Sequence, residues 1–337
     1  MRTLSAKKRM LKSLTRMFRQ ATFLLLTALF MLATEANAGK VFVSNEKDNT
    51  ISVIDTDGFK VVATVEVGQR PRGITLSQDK QHLYICASDD DHVEVMDTET
   101  YEIVGTLPSG PDPELFILHP DGVHLYIANE DDNMVTVVNV NTGQVLVEIP
   151  VGVEPEGMAV SPDGKTIVNT SETTNMAHFI DTETLEITDN VLVDSRPRFA
   201  EYTDDGKFIW VSSEVGGTVS VISNKTRKVV RKITFHVPGV RNEALQPVGV
   251  RVTHDLKTAF IALGPANRVA VVDTQTFEVK KYLLVGQRVW QLAFDAEEKY
   301  LYTSNGVSND ISVIDVEDLK VIKSIAVGRY PWGLAIK

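Results

Sequence analysis

From position 39 onward, short apolar runs separated by turn sequences fill the chain. The segment from Pro155 to Val193 shows the unit. Gly157-Met158-Ala159-Val160 is a β-prone run closed by Ser161-Pro162-Asp163-Gly164, where proline presets φ and glycine accepts a positive φ. Thr166 to Asn169 predicts a second strand, Ala177 to Asp181 a third, and Leu185 to Val193 a fourth. Between the last two, the Asp181 carboxylate is placed to accept a backbone N–H of the turn. Apolar positions alternate at period two and no stretch carries the 3.6-residue period of a helix. Four short strands with tight turns read as one antiparallel meander.

The unit repeats every 42 residues. The polar residue ending each third strand falls at Asp55, Asp97, Asn139, Asp181, Ser223, Asp273 and Asp315. A proline in Val-Gly-x-x-Pro-x-Gly falls at Pro71, Pro113, Pro155, Pro197, Pro247 and Pro331, with Val289 in the remaining slot. Both series break once, by eight residues, which places an insertion at His236–Glu243. A four-stranded sheet cannot bury both faces alone, so seven such units predict an all-β, seven-bladed β-propeller with four-stranded antiparallel blades. The final Trp332–Ile336 run is a first strand and the opening Val41–Val43 run a second. One blade, shared between the N- and C-termini, is therefore expected to close the ring. The meander puts the Val-Gly-x-x-Pro connections, the loops between second and third strands and the insertion on one face.

Residues 1–38 stand outside the repeat. Seven basic residues, an apolar stretch from Phe23 to Leu32 and Ala36-Asn37-Ala38 predict a secretory signal peptide cleaved before Gly39. That apolar stretch is too short to span a bilayer comfortably. The expected organisation is a leader at 1–38 and a single propeller at 39–337, with a periplasmic destination and no membrane attachment after cleavage. Without the leader the chain holds 27 basic and 44 acidic residues, a net charge of −17. Such a surface disfavours nucleic acid. Cys86 is the sole cysteine, which excludes an internal disulfide and a thiolate cluster, and it replaces the alanine found at Ala128 one repeat later. A buried structural thiol is expected.

The runs Leu125-Tyr126-Ile127-Ala128-Asn129, Leu301-Tyr302-Thr303-Ser304-Asn305, Ile51-Ser52-Val53-Ile54-Asp55 and Ile311-Ser312-Val313-Ile314-Asp315, with Val-Gly-x-x-Pro-x-Gly, resemble the YVTN family of β-propeller repeat proteins. Gln246–Gly249, Ala262–Asp273 and Val327–Gly333 are similar to a seven-repeat, secreted subgroup that accompanies pyrroloquinoline-quinone (PQQ)-dependent alcohol catabolism and transport. The resemblance implies an accessory periplasmic role beside quinoprotein alcohol oxidation, and carries over no catalytic residue. Quinoprotein dehydrogenases themselves usually have eight blades and a tryptophan-rich docking motif. Seven units, three tryptophans and one cysteine suggest a protein that serves such a system.

Recognised catalytic patterns are missing from the sequence: there is no Cys-x-x-Cys-His, no glycine-rich phosphate loop and no Gly-x-Ser-x-Gly. The seven histidines form neither His-x-His nor His-Glu-x-x-His, and no metal site is assigned to them; His236 stands out only because it opens the insertion. No bound cofactor is expected. The flanks of the marker proline form two rings at the channel mouth: Arg70, Asp112, Glu154, Arg196, Gln246, Arg288 and Tyr330 before it, and Arg72, Glu114, Glu156, Arg198, Val248, Trp290 and Trp332 after it. Arginine forks suit carboxylate or quinone oxygens, and tryptophan offers a flat apolar plate. The same residues could instead tie blade to blade through ion pairs. An acidic group at Glu46, Asp48, Asp89, Asp90, Asp91, Glu130, Asp131 and Asp132 covers the first three repeats and fades afterwards.

The leading expectation is a non-catalytic propeller that binds a small ligand or docks a periplasmic partner protein of an alcohol-oxidation or transport system. Its candidate binding residues are Arg70, Arg72, Glu114, Glu156, Arg196, Arg198, Arg241, Arg288, Trp290, Arg329 and Trp332. The alternative is a metal-assisted hydrolase of lactonase type at the channel mouth, with Glu156, Glu114 and Asn242 as conceivable ligands. A structural surface protein is a third reading.

Overall fold

The computed structural model describes residues 39–337, so the expected leader at 1–38 lies outside the described residues. Twenty-eight strands form seven four-stranded antiparallel sheets. Blades one to six start at β4 (Pro71–Leu76), β8 (Pro113–Leu118), β12 (Pro155–Val160), β16 (Pro197–Tyr202), β20 (Pro247–Val252) and β24 (Val289–Phe294). The seventh joins β28 (Pro331–Ile336) to β1 (Lys40–Asn45), β2 (Thr50–Asp55) and β3 (Lys60–Glu66), as expected from the repeat phase. Val41 pairs with Ile336 and Val43 with Leu334 in that seam. The first strands pack side by side around the axis.

Alternation at period two describes these strands only in part. In β9 (His124–Asn129) and β10 (Met134–Asn139), four or five consecutive residues are buried. Each middle strand lies between two neighbouring blades, so both faces are covered and the sequence runs apolar without a break. The outer strand, such as β11 (Gln144–Pro150), has one open edge and is mostly exposed. The core is therefore interfacial: Tyr84, Cys86 and Leu107 of blade one pack with Phe116, Leu125 and Ile127 of blade two. Each fully buried Val, Leu or Ile contributes roughly 1.5–3 kcal/mol. Cys86 is wholly buried, and burial pushes its thiol well above the ordinary range.

The turn chemistry follows the sequence closely. Asp181 Oδ1 accepts the N–H groups of Glu183 at 3.0 Å and Thr184 at 2.8 Å, and Asp97 Oδ1 accepts those of Glu99 and Thr100 at 2.8 and 2.7 Å. These bonds hold both carboxyls below the usual carboxylate range. The insertion folds as a short 3-10 turn at Asn242–Ala244, and Val237 and Leu245 pin it to the core beside Phe235.

Candidate functional site: the charged channel mouth

Two local devices aim side chains into the mouth. The residue before each marker proline adopts the left-handed conformation: Arg70, Asp112, Glu154, Arg196, Arg288 and Tyr330 have φ between 51° and 58°. In five of these slots an asparagine from the preceding blade holds the backbone amide, as Asn49 does for Arg70 and Asn267 for Arg288. Asp91 does the same for Asp112. The slot of this clamp before the insertion is Gly217, which has no side chain to offer, and Gln246 there is not left-handed. The second device is a bulge. Pro71 faces Ala87 but Ile74 faces Ile85, so one extra residue enters the strand beside Arg72. The same shift occurs at the start of every first strand. A bulge of this kind re-aims side chains, here towards the axis.

The aimed residues meet as ion pairs between blades. Arg72 Nη1 lies 2.5 Å from Glu114, and Arg70 lies 2.5 Å from Asp89 and 3.4 Å from Glu114 and also pairs with Asp112. Arg198 Nη1 is 2.7 Å from Glu156 and pairs with Glu172, while Arg196 Nε is 2.7 Å from Glu172. Glu114, Glu156, Glu172, Arg198 and Glu214 are each at least 95% buried. Burial opposes the charges of Arg72 and Arg198, yet the carboxylates around them hold both above the ordinary guanidinium range. Burial and the charge of Glu172 push Glu156 well up. Glu172 is pulled down against its burial by a hydrogen bond from Glu156 and by Arg198 and Arg196. The two carboxyls thus titrate as a coupled pair.

Above this floor lies a cavity of about 310 Å³ lined by Arg70, Arg72, Asp112, Glu130, Arg196, Arg198, Glu214, Arg288 and Trp290. Its two sides differ. On one, Glu214 meets three guanidinium groups, Arg288 at 2.7 Å, Arg196 at 3.3 Å and Arg198 at 3.7 Å, and it is the one carboxylate paired with Arg288 among the described residues. Arg288 also bonds Gln246 at 2.9 Å and lies over Trp290, 4.2 Å from the ring centroid. Burial and the positive charges of Arg198 and Arg196 outweigh Glu214 and lower the pKa of Arg288. On the other side, burial and the nearby Glu114 push Asp112 up to about 6 and Glu130 up to about 8. At neutral pH Glu130 is thus mostly protonated and can donate a hydrogen bond, while the guanidinium side seeks an anion.

Of the residues predicted from sequence, Arg70, Arg72, Arg196, Arg198, Arg288 and Trp290 line this cavity. Glu114 and Glu156 lie in its floor, and Trp332 is buried with Arg72 5.8 Å from its ring. Arg329 and Arg241 do not join them. Arg329 bonds Asp48 at 2.5 Å on the rim, and Arg241 is exposed on the insertion, as is Asn242. The conceivable ligand trio Glu156, Glu114 and Asn242 is not assembled. His236 is exposed, and its backbone N–H is held by the Tyr282 hydroxyl.

The acidic group does not fade after three repeats. Glu172 and Glu214 continue it, and with Glu46 and Glu130 they occupy one slot just after the second strand, 42 residues or a multiple apart. The period itself was the signal that finds them. Two blades carry Gly264 and Gly306 in this slot, and the omission creates space. A Cβ on Gly306 would stand 2.6 Å from the Trp290 indole nitrogen.

A larger space of about 610 Å³ lies below, walled by the first strands, with Arg251 and Glu201 paired 3.0 Å apart. Lys80 and Asp204 also line it, so its walls mix apolar and polar groups, whereas the guanidinium groups of Arg70, Arg72, Arg196, Arg198 and Arg288 converge on the mouth.

The sequence profile of the choice-of-anchor I domain matches residues 131–305, just over half of the 337-residue chain. No curated protein matches it. Among solved structures, the fold is similar to Kuenenia stuttgartiensis hydrazine synthase, with 23% identity and a TM-score of 0.71 over 79% of this chain and 89% of that one. It is similar to a candidate 6-phosphogluconolactonase from Bacteroides uniformis, with 16% identity and a TM-score of 0.76 over 89% and 99%. It is also similar to the dihydro-heme d1 dehydrogenase NirN in complex with DHE, with 15% identity and a TM-score of 0.67 over 88% and 74%. These likenesses extend to the fold alone.

Proposed function

The chain belongs to the choice-of-anchor I domain family, and we propose that it is a non-catalytic binding propeller whose charged mouth holds a small hydroxy- or oxo-carboxylic acid. The observation that carries this reading is Arg288, which lines the 310 Å³ cavity and whose one carboxylate partner among the described residues, Glu214, is shared with Arg196 and Arg198. A ligand carboxylate would give Arg288 a second negative partner through charge-assisted hydrogen bonds. Protonated Glu130, and Asp112 below about pH 6, would donate to a hydroxyl or carbonyl oxygen at the other end. Trp290 offers the carbon skeleton a flat wall.

Hydroxy and oxo acids are the kind of molecule that alcohol oxidation produces. The stretches resembling the PQQ-associated subgroup support an accessory role beside quinoprotein alcohol oxidation and transport. The leader pattern at 1–38 supports a periplasmic location. Calorimetric titration with a panel of hydroxy- and oxo-carboxylates tests the binding. We expect dissociation constants that weaken steeply with salt and at least tenfold in Arg288→Gln. Absence of binding heat for the whole panel in folded protein would refute the reading.

A metal-assisted hydrolase is the second reading, favoured by one observation: oxygens of Asp112, Glu114 and Glu130 lie within 4.8 Å of one another. Against it, Arg70 and Arg72 already neutralise two of the three. Lactone hydrolysis that depends on added divalent cation and disappears in Glu130→Gln would establish it.

A further inference from the structure

On the face opposite the mouth, β8 ends at Leu118 and the turn His119-Pro120-Asp121-Gly122 leads into β9 at His124. Four other blades fill the His119 slot with a hydroxyl. Ser77, Ser161, Thr203 and Thr253 each donate to the aspartate two residues on, at 2.6 to 2.8 Å. Blade two replaces that hydroxyl with an imidazole and adds a second imidazole at His124. Blade one has the second, His82, but keeps Ser77.

We propose that His119, Asp121 and His124 form a binding site for a divalent transition-metal ion of the zinc type. Nδ1 of His119 and Nδ1 of His124 both face Asp121 Oδ2, at 3.0 and 2.6 Å, and the three atoms lie within 4.8 Å of one another. The tautomer of His119 follows from its other nitrogen. Nε2 lies 2.7 Å from the carbonyl oxygen of Gly164 in the next blade, and a carbonyl only accepts, so Nε2 carries the hydrogen. Nδ1 of the neutral ring therefore presents a lone pair, which meets the Asp121 backbone N–H at 3.2 Å and the Asp121 carboxylate at 3.0 Å. A cation between Nδ1 and the carboxylate would be held by both, with a proton on Nδ1 as its competitor. The Nδ1 atom of His124 faces the same carboxylate oxygen and supplies the third ligand atom.

The second nitrogen donating to a backbone carbonyl is the usual orientation of a metal-ligating imidazole. Gly164 is fitted to the role, since a Cβ there would stand 2.9 Å from His119 Nε2. Two imidazole nitrogens and one carboxylate oxygen select zinc, cobalt or nickel over calcium and magnesium, which take all-oxygen shells. Metal–ligand bonds of about 2.0–2.1 Å require small χ rotations that spread the three atoms, and these partly exposed turn side chains have room for them. Three protein ligands leave the fourth position to water.

Full-length chain treated with chelator and dialysed is titrated with zinc chloride by calorimetry, and with cobalt chloride by visible absorption. The expected result is one site per chain, a cobalt spectrum of tetrahedral intensity, and affinity at least tenfold weaker in His124→Gln and in His119→Gln, with His82→Gln unchanged. His119→Gln can loosen the contact with Gly164, so His124→Gln, which leaves that contact intact, decides the matter. Lack of zinc uptake by the wild-type chain at micromolar metal, or uptake unaltered in His124→Gln, overturns the proposal. Arg288→Gln should leave zinc binding untouched, which separates this site from the mouth.

Discussion

The side-chain oxygen of Asn175 accepts the backbone N–H of Arg196 at 3.0 Å, so one blade fixes the residue that carries a guanidinium into the mouth from the next. Asn175 itself sits at φ 56°, a conformation asparagine tolerates better than most residues. Asn175→Gly keeps the backbone at ease and loses only the bond, a cost of about 1 kcal/mol. Asn175→Ala loses the bond and adds left-handed strain, for a total of about 2–3 kcal/mol. Urea unfolding should rank the three proteins in that order.

The buried charged groups in the floor respond unequally to neutralisation. Burial and the charge of Glu172 favour the neutral form of Glu156, and its Oε1 accepts no hydrogen bond among the described residues. Glu156→Gln should therefore change stability by no more than about 1 kcal/mol. Arg198→Met removes the buried guanidinium partner of Glu172 and leaves it only the half-exposed Arg196, which costs about 3 kcal/mol. Equal losses in the two variants, measured by denaturant midpoint, would contradict this difference.

Much of this was legible because a 42-residue period repeats chemistry as well as shape. The turn aspartates, the seven blades and the closing seam follow from markers such as Asp181 and Pro155. The first-strand bulge left no mark, because Arg72 and Arg198 look the same in a regular strand as in a bulged one. Glu172 and Glu214 carry no local signal for a different reason: each is a lone glutamate after a middle strand, without the aspartates that follow Glu130. Their slot in the period places them under the rim, where burial gives each carboxylate its consequence. The apolar run of a middle strand was likewise read locally as alternation, when the covering face belongs to another blade.

The mouth also predicts how stability depends on pH. Glu130 titrates at about 8 in the folded chain and Asp112 at about 6, both above the usual carboxylate range. Between roughly pH 4 and 8 the native state thus binds more protons than the unfolded state, and stability falls as pH rises through this window. Glu130→Gln removes its share. At pH 8 the variant should be more stable than wild type by on the order of 1 kcal/mol after solvent screening. At pH 5, where Glu130 is protonated in the folded state, the two should nearly coincide. Thermal unfolding at both values checks this, and a variant equally stabilised at each would contradict it.

Gly306 tests the link between the repeat and the site. Its slot holds Glu130, Glu172 and Glu214 in three other blades, and here its lack of a side chain admits the Trp290 indole. A methyl at this point would stand 2.6 Å from the indole nitrogen and 2.9 Å from the adjacent ring carbon, both too close for a rigid ring to absorb. Gly306 is not among the positive-φ glycines, so Gly306→Ala introduces crowding without left-handed strain. Displacing the indole removes the surface on which the Arg288 guanidinium lies. The expected outcome is a shift in tryptophan emission, a stability loss of about 1–3 kcal/mol from overpacking, and weaker carboxylate binding at the mouth. Zinc binding on the opposite face should persist. Trp290→Phe, which relieves the crowding, should restore part of the lost stability when combined with Gly306→Ala. An unchanged emission spectrum in Gly306→Ala would show that the indole does not depend on this gap.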